Sequence, residues 1–116
     1  MNPMPPHIPK ILSAYDTLME DVSLLLKDEL PPVLPPAYAL IIAAIGEEAL
    51  TPKDIRRKKF YVGTNCSYAL RLLELREYLT VKSDRADRRQ KTVRLTEKGL
   101  GLAKKIRLSL TKVMAA

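Results

Sequence analysis

Asp84-Arg85-Ala86-Asp87-Arg88-Arg89-Gln90-Lys91-Thr92-Val93-Arg94-Leu95-Thr96 holds five cations, Arg85, Arg88, Arg89, Lys91 and Arg94. Leu79-Thr80-Val81 precedes it, and Thr92 and Val93 alternate with Lys91 and Arg94. β-Branched residues flanking a polar, charge-rich turn predict two short strands, 79–83 and 91–95, joined by a basic loop. Such a hairpin is either a solvated ribbon or a surface that lies against a polyanion.

The charge distribution favours the second reading. Residues 1–50 carry two Lys/Arg against seven Asp/Glu, a net of −5, whereas residues 51–116 carry eighteen against six, a net of +12. The basic part is suited to phosphate or an acidic surface, and the acidic part is left for another task. At 116 residues the chain is read as one domain with one core. With one cysteine, Cys66, and one histidine, His7, it can form neither an intrachain disulfide nor a His/Cys zinc site. No apolar run reaches the ~18 residues of a membrane span, and the proline-bearing start does not read as a signal peptide. A cytoplasmic location is expected.

Met1 to Pro9, with prolines at 3, 5, 6 and 9, reads as an extended arm that cannot start a helix before its end, and His7 as an arm residue without a partner ligand. From residue 8 to about 30, Ile8, Ile11, Tyr15, Leu18, Val22 and Leu25 recur at spacings of three and four, which predicts a helix with one broad apolar face. That stripe either packs within its own chain or keeps a coiled-coil-like seam for a second subunit. Pro31-Pro32-Val33-Leu34-Pro35-Pro36 ends the helix as a stiff elbow. Ala37 to Ile45 is nearly all apolar and is expected to be the central core helix.

Thr51-Pro52 opens the next helix as a threonine cap followed by proline where a missing amide costs nothing, with Asp54 favourable in the first turn. Ile55 faces inward, and Lys53, Arg56, Arg57, Lys58 and Lys59 surround it with charge. Phe60 to Gly63 makes a turn, and Thr64 caps a helix whose inward stripe is Cys66, Ala69, Leu70 and Leu73. Cys66 on this stripe is read as a small core residue rather than a redox switch. Thr64, Asn65, Ser67, Tyr68 and Arg71 remain on the outer face. Amide, hydroxyl and guanidinium groups near a helix start are the composition of a helix that enters a major groove, although a solvated face would look the same in isolation. After the hairpin, Thr96 caps a helix from Glu97 to about Val113 with the stripe Leu102, Ala103, Ile106, Leu110 and Val113, its first turns weakened by Gly99 and Gly101.

The element order is that of a winged helix-turn-helix domain flanked by two extra helices: mainly α with a small β-wing. Asp87-Arg88-Arg89, five residues, then Leu95-Thr96-Glu97-Lys98-Gly99 resembles the wing signature of the multiple-antibiotic-resistance regulator (MarR) family. Leu50-Thr51 lies at that family's spacing from Thr64, and Leu70, Leu73, Tyr78 and Leu79 fall at its apolar positions, so the resemblance spans about residues 37–113. Lys59 and Phe60 depart from it, standing where leucine and glycine are common.

The resemblance implies a homodimeric transcriptional regulator on a two-fold DNA operator, its dimer made by the terminal helices. The expected organisation of the single domain 1–116 is a dimerisation helix at 8–30, a winged helix-turn-helix core at 37–95 and a C-terminal helix at 96–114. Thr64, Asn65, Ser67, Tyr68 and Arg71 are the expected recognition-helix contacts, and Arg85, Arg88, Arg89 and Lys91 the wing contacts, with Arg89 entering a minor groove and Asp87 holding the wing in shape. Lys53, Arg57, Lys58 and Lys59 are expected on phosphates. Ile8, Ile11, Tyr15, Leu18, Val22, Ile106, Leu110 and Val113 are expected at the dimer interface. No cofactor is called for, and the residues do not support a small-molecule effector. The rival reading is a winged-helix interaction module whose basic face binds an acidic partner. An enzyme is the weakest reading, since no nucleophile–base pair, metal cluster or glycine-rich phosphate loop can be assembled.

Overall fold

Seven elements follow one another in a computed structural model that describes residues 5, 7–28, 34–58 (Lys58 by its backbone alone), 66–83, 85–87 and 89–115. Four helices, α1 (His7–Leu25), α2 (Pro36–Ile45), α3 (Pro52–Lys58) and α4 (Cys66–Leu75), precede the strands β1 (Leu79–Ser83) and β2 (Lys91–Leu95), and α5 (Glu97–Ala115) closes the order. The turn at 60–63, the Thr64 cap and the first half of the elbow, residues 31–33, lie outside the described residues.

Proline does not delay α1 as the sequence reading expects. The helix starts at His7, with the Ile8 N–H on the Pro5 carbonyl at 3.1 Å. Pro9 then falls in the first turn, where a missing amide removes no intrahelical bond. At its other end α1 stops earlier than expected, at Leu25, where the Leu26 N–H is shared between the Val22 and Ser23 carbonyls and the Lys27 N–H tightens onto Leu24.

Helix α2 is the centre of the core, with Ala39, Leu40, Ile41, Ile42, Ala43 and Ile45 buried. Leu18, Val22 and Leu26 of α1 and Leu102, Ala103 and Ile106 of α5 join it in one cluster. This corrects the dimer reading for three residues. Leu18, Val22 and Ile106 are buried at 7%, 0% and 0% exposure within the chain itself, because α1 and α5 pack on each other and on α2. Tyr15 and Ile11, on the same side of α1 one and two turns earlier, stay exposed, and Leu110 and Val113 are half-buried. The molecule measures 55 × 33 × 25 Å with a radius of gyration of 15.7 Å, above the about 13 Å of a compact 100-residue chain. Among the described residues no helix is long and apolar enough to cross a membrane.

The hairpin pairs Leu79 with Leu95, Val81 with Val93 and Ser83 with Lys91, antiparallel and over the expected strand ranges. Leu50, which the sequence reading names only for its spacing from Thr64, adds a third rung. Its N–H and C=O both bond Val93, at 3.0 and 2.7 Å, on the edge of β2 away from β1. Buried Leu50, Leu79 and Val93 thereby seat the wing on the core.

Helix α5 starts as expected, with the Gly99 N–H on the Thr96 hydroxyl at 3.2 Å. Gly99 is more than a weak point in the first turn. A Cβ there would run into the Tyr78 carbonyl, so only glycine lets α5 approach the α4–β1 junction this closely. The Thr96 hydroxyl also donates to the Glu77 carbonyl at 2.6 Å, and Lys98 donates to the Arg76 carbonyl at 2.9 Å while its ammonium lies 4.3 Å from the Tyr78 ring centroid. The Thr96-Glu97-Lys98-Gly99 segment is therefore a clamp on the end of α4.

Candidate nucleic-acid interface

Three elements set the interface. Helix α3 is started by a reciprocal cap, with the Asp54 N–H on the Thr51 hydroxyl oxygen and the Thr51 N–H on the Asp54 carboxylate, both at 3.1 Å. The Thr51 backbone N–H and then its hydroxyl hold the Asp54 carboxyl below the usual aspartate range, with Arg57 and Lys53 adding to the effect. Lys53 and Arg57 stand exposed on α3 as expected; the Lys58 side chain and all of Lys59 lie outside the described residues.

Helix α4 buries Cys66, Ala69, Leu70 and Leu73, which leaves Ser67, Tyr68 and Arg71 exposed. Burial pushes the Cys66 thiol up, away from the thiolate a redox role would need, and the nearby Arg56 charge only partly opposes this. Thr64 and Asn65 lie outside the described residues. Ser67 and Arg71 do not share their flank with Tyr68. They line a cleft of 160 Å³ with Pro52, Leu70, Glu74, Val81 and Lys91, between α4 and the wing. Tyr68 leans the other way, edge to face with Tyr38 of α2 at 6.4 Å between ring centroids.

At the wing, Arg85, Arg89 and Lys91 are exposed, and Arg88 lies outside the described residues. Asp87 shapes the tip: its carboxylate accepts the Arg89 N–H at 3.0 Å and lies 3.8 Å from Arg89 Nε, while its carbonyl accepts the Gln90 N–H at 3.0 Å. The Arg89 side chain is 97% exposed, so the ion pair leaves the guanidinium presented outward. The structure thus brings Ser67, Arg71 and Lys91 together around one cleft and places Arg85 and Arg89 on the hairpin that borders it.

The family profile of the winged helix DNA-binding domain matches residues 36–99, which run from the start of α2 through the wing to the first turn of α5. The chain belongs to the winged helix DNA-binding domain family. The exopolysaccharide II synthesis transcriptional activator ExpG of Rhizobium meliloti (strain 1021) is 36% identical over 72 residues, which is 62% of this chain but 37% of that protein's length. Among solved structures, the YusO protein of Bacillus subtilis superposes with a TM-score of 0.64 at 15% identity, covering 90% of this chain and 70% of its own. BpsR of Bordetella bronchiseptica, whose DNA binding is regulated by 6-hydroxynicotinic acid, superposes at 0.62 with 21% identity, covering 90% and 78%. These neighbours are MarR-family regulators, and at such identities the likeness is one of fold. It includes the terminal helices as well as the winged helix core, since the matched winged helix residues alone are a smaller part of the chain than the superposed share.

Glu74 and Lys98 are the interface-supporting residues that the sequence reading missed. Each looks like an ordinary solvated charge on a helix, and only its long-range partner, Val81 or Arg76, distinguishes it.

Proposed function

We propose that this chain is a transcription regulator that binds double-stranded DNA sequence-specifically, in the cytoplasm, as a homodimer on a two-fold operator. The observation that carries the reading is the cleft that Ser67 and Arg71 of α4 share with Lys91 of the wing, with Arg85 and Arg89 exposed on the same hairpin. Arg71 and Ser67 reach base edges in a major groove, and Arg89 enters the neighbouring minor groove. Lys53, Arg57, Lys58 and Lys59 neutralise phosphates beside them. Thr64 and Asn65 add further base contacts, and Arg88 a further contact beside Arg89.

The dimer reading is supported by the apolar surface left on α1 and α5. Ile11 is 61% exposed and Leu12 52%, with Tyr15 beside them, and the half-buried Ile8, Leu110 and Val113 carry the same stripes toward the helix ends. Apolar groups repeated at helical spacing outside the core are suited to a second copy. A two-fold dimer then presents two recognition helices to half-sites about one helical turn apart, roughly 34–36 Å.

Selection of bound sequences from a random duplex pool tests the reading, followed by titration against the selected and a scrambled duplex. A two-fold consensus bound at least about a thousandfold tighter than scrambled DNA supports a specific regulator. Equal binding to both, or binding only to an acidic protein surface, defeats it. Light scattering at micromolar concentration should give twice the chain mass, and a monomer at every concentration removes the dimer and the palindrome together.

A further inference from the structure

Antiparallel geometry turns the Val81 N–H of the wing away from its partner strand. The Val93 N–H and C=O are both bonded to Leu50, so the Val81–Val93 pair is of the non-hydrogen-bonded kind and the Val81 N–H points to the outer edge of β1. Glu74, in the last turn of α4, supplies the acceptor: its Oε2 takes the Val81 N–H at 3.2 Å. Between α4 and β1 the chain has only residues 76–78, so this bond closes a short loop between recognition helix and wing.

Glu74 is the only acidic residue of α4, and it lines the cleft together with Ser67, Arg71 and Lys91. A carboxylate there repels the phosphates that the cations attract. Glutamine or alanine would suit the helix as well. Electrostatics alone therefore disfavours the residue at this place, and what offsets the repulsion is the bond that ties the wing to the helix.

We infer that Glu74 is a positioning residue that sets where the wing stands relative to the recognition helix, and so couples minor-groove reading by the wing to major-groove reading by α4. The inference rests on the proposed sequence-specific DNA binding. Without the bond, helix and wing still each meet DNA, but their combined register on one site is lost.

The test is titration of wild type, Glu74→Gln, Glu74→Asp and Glu74→Ala against the selected duplex, a flank-substituted duplex and a scrambled duplex. Charge and hydrogen bond make opposite demands. Glu74→Gln keeps an acceptor and loses the charge; it should bind scrambled DNA more tightly while holding the selected-to-scrambled ratio within about twofold of wild type. Glu74→Asp keeps the charge but is one methylene too short for Val81; it should lose about tenfold in the ratio, the loss falling on the flank read by the wing, with no gain on scrambled DNA. Glu74→Ala should combine the gain on scrambled DNA with the loss of ratio. If Asp and Ala both keep the wild-type ratio, or if Gln loses it as they do, positioning through Val81 is overturned. A wild type that does not discriminate between the duplexes sinks the sequence-specific reading and this inference with it, whereas a discriminating wild type matched by Asp sinks the inference alone.

Discussion

Arg107 of α5 donates two hydrogen bonds to one carbonyl of α2, from Nε and Nη2 to the Ala43 oxygen at 3.2 and 3.0 Å. The last carbonyls of a helix lack intrahelical donors. At this end Gly46 closes on Ile42 and Glu48 on Ile45, and the guanidinium serves Ala43 between them. Gly46 has a φ of +57° here, and a Cβ on it would strike the guanidinium.

Removing this fork should therefore loosen the C-terminal helix from the core helix. Arg107→Ala should cost about 1–2 kcal/mol, a charged donor pair discounted for its partly exposed setting. Arg107→Lys should recover only part of that, since an ammonium has no planar fork. Urea denaturation with an unchanged m-value would check both, and an Arg107→Ala midpoint equal to wild type would deny the bond any role in stability.

The end of α4 predicts a gain. Tyr78 N–H bonds the Leu73 carbonyl at 3.0 Å and Glu77 N–H the Glu74 carbonyl at 2.9 Å, which is a Schellman closure with Glu77 at φ +64° in the position glycine favours. Glu77→Gly should relieve about 0.5–1 kcal/mol of left-handed strain net of the unfolded-state entropy, raising the melting temperature by a few degrees. Gly99→Ala, a few ångströms away across the clamp, should do the reverse and cost more, because the obstacle is the Tyr78 backbone carbonyl and not a side chain. Calorimetry that ranked the two the other way would refute this account of the junction.

The α3 cap predicts an acid response. Thr51→Ala should cost about 1 kcal/mol, as loss of an N-cap generally does. Asp54 titrates lower when folded than unfolded, so its contribution is present above the usual aspartate range and is lost as pH falls through the lowered folded value. The stability advantage of wild type over Asp54→Asn should shrink accordingly as the solution is acidified below about pH 4. An advantage constant from neutral to acid pH would mean that the carboxylate charge is immaterial to the cap.

On DNA the exposed cations should sort into three classes. Lys53→Ala and Arg57→Ala should weaken all duplexes alike and lower the salt slope by about 0.9 for each phosphate no longer neutralised. Arg71→Ala should cost about 1–3 kcal/mol of discrimination at particular base pairs. Arg89→Ala should lose most on sites flanked by A·T tracts, where the narrow minor groove attracts arginine. Titrations of selected, flank-substituted and scrambled duplexes at several salt concentrations separate the classes. One common factor for every variant would mark a general polyanion binder.

Much of the interface was legible because its signals are local. Alternation and β-branching placed both wing strands, Thr51-Pro52 and Thr96 marked helix starts, and the Asp87–Arg89 bond joins residues only two apart. Tyr68 shows the limit within one helix. Its outward position was readable, but its lean toward Tyr38, away from Arg71, depends on where α2 passes.

A period of three and four residues states that a helix face is apolar; it cannot state which surface covers it. The stripe of α1 was therefore known from the sequence, while the division between Leu18 and Val22 in the chain's own core and Ile11 and Tyr15 outside it was decided by how α1 packs on α5 and α2. Hydrogen bonds between distant residues follow the same rule. Leu50 to Val93, Arg107 to Ala43 and Glu74 to Val81 join groups whose own neighbours give no sign of the partner, because a backbone amide or carbonyl is present at nearly every residue and only packing brings one of them within reach. By itself the sequence determined the elements, their caps and the charge of the face; the tertiary structure alone decided which stripes are core and what holds helix and wing in register.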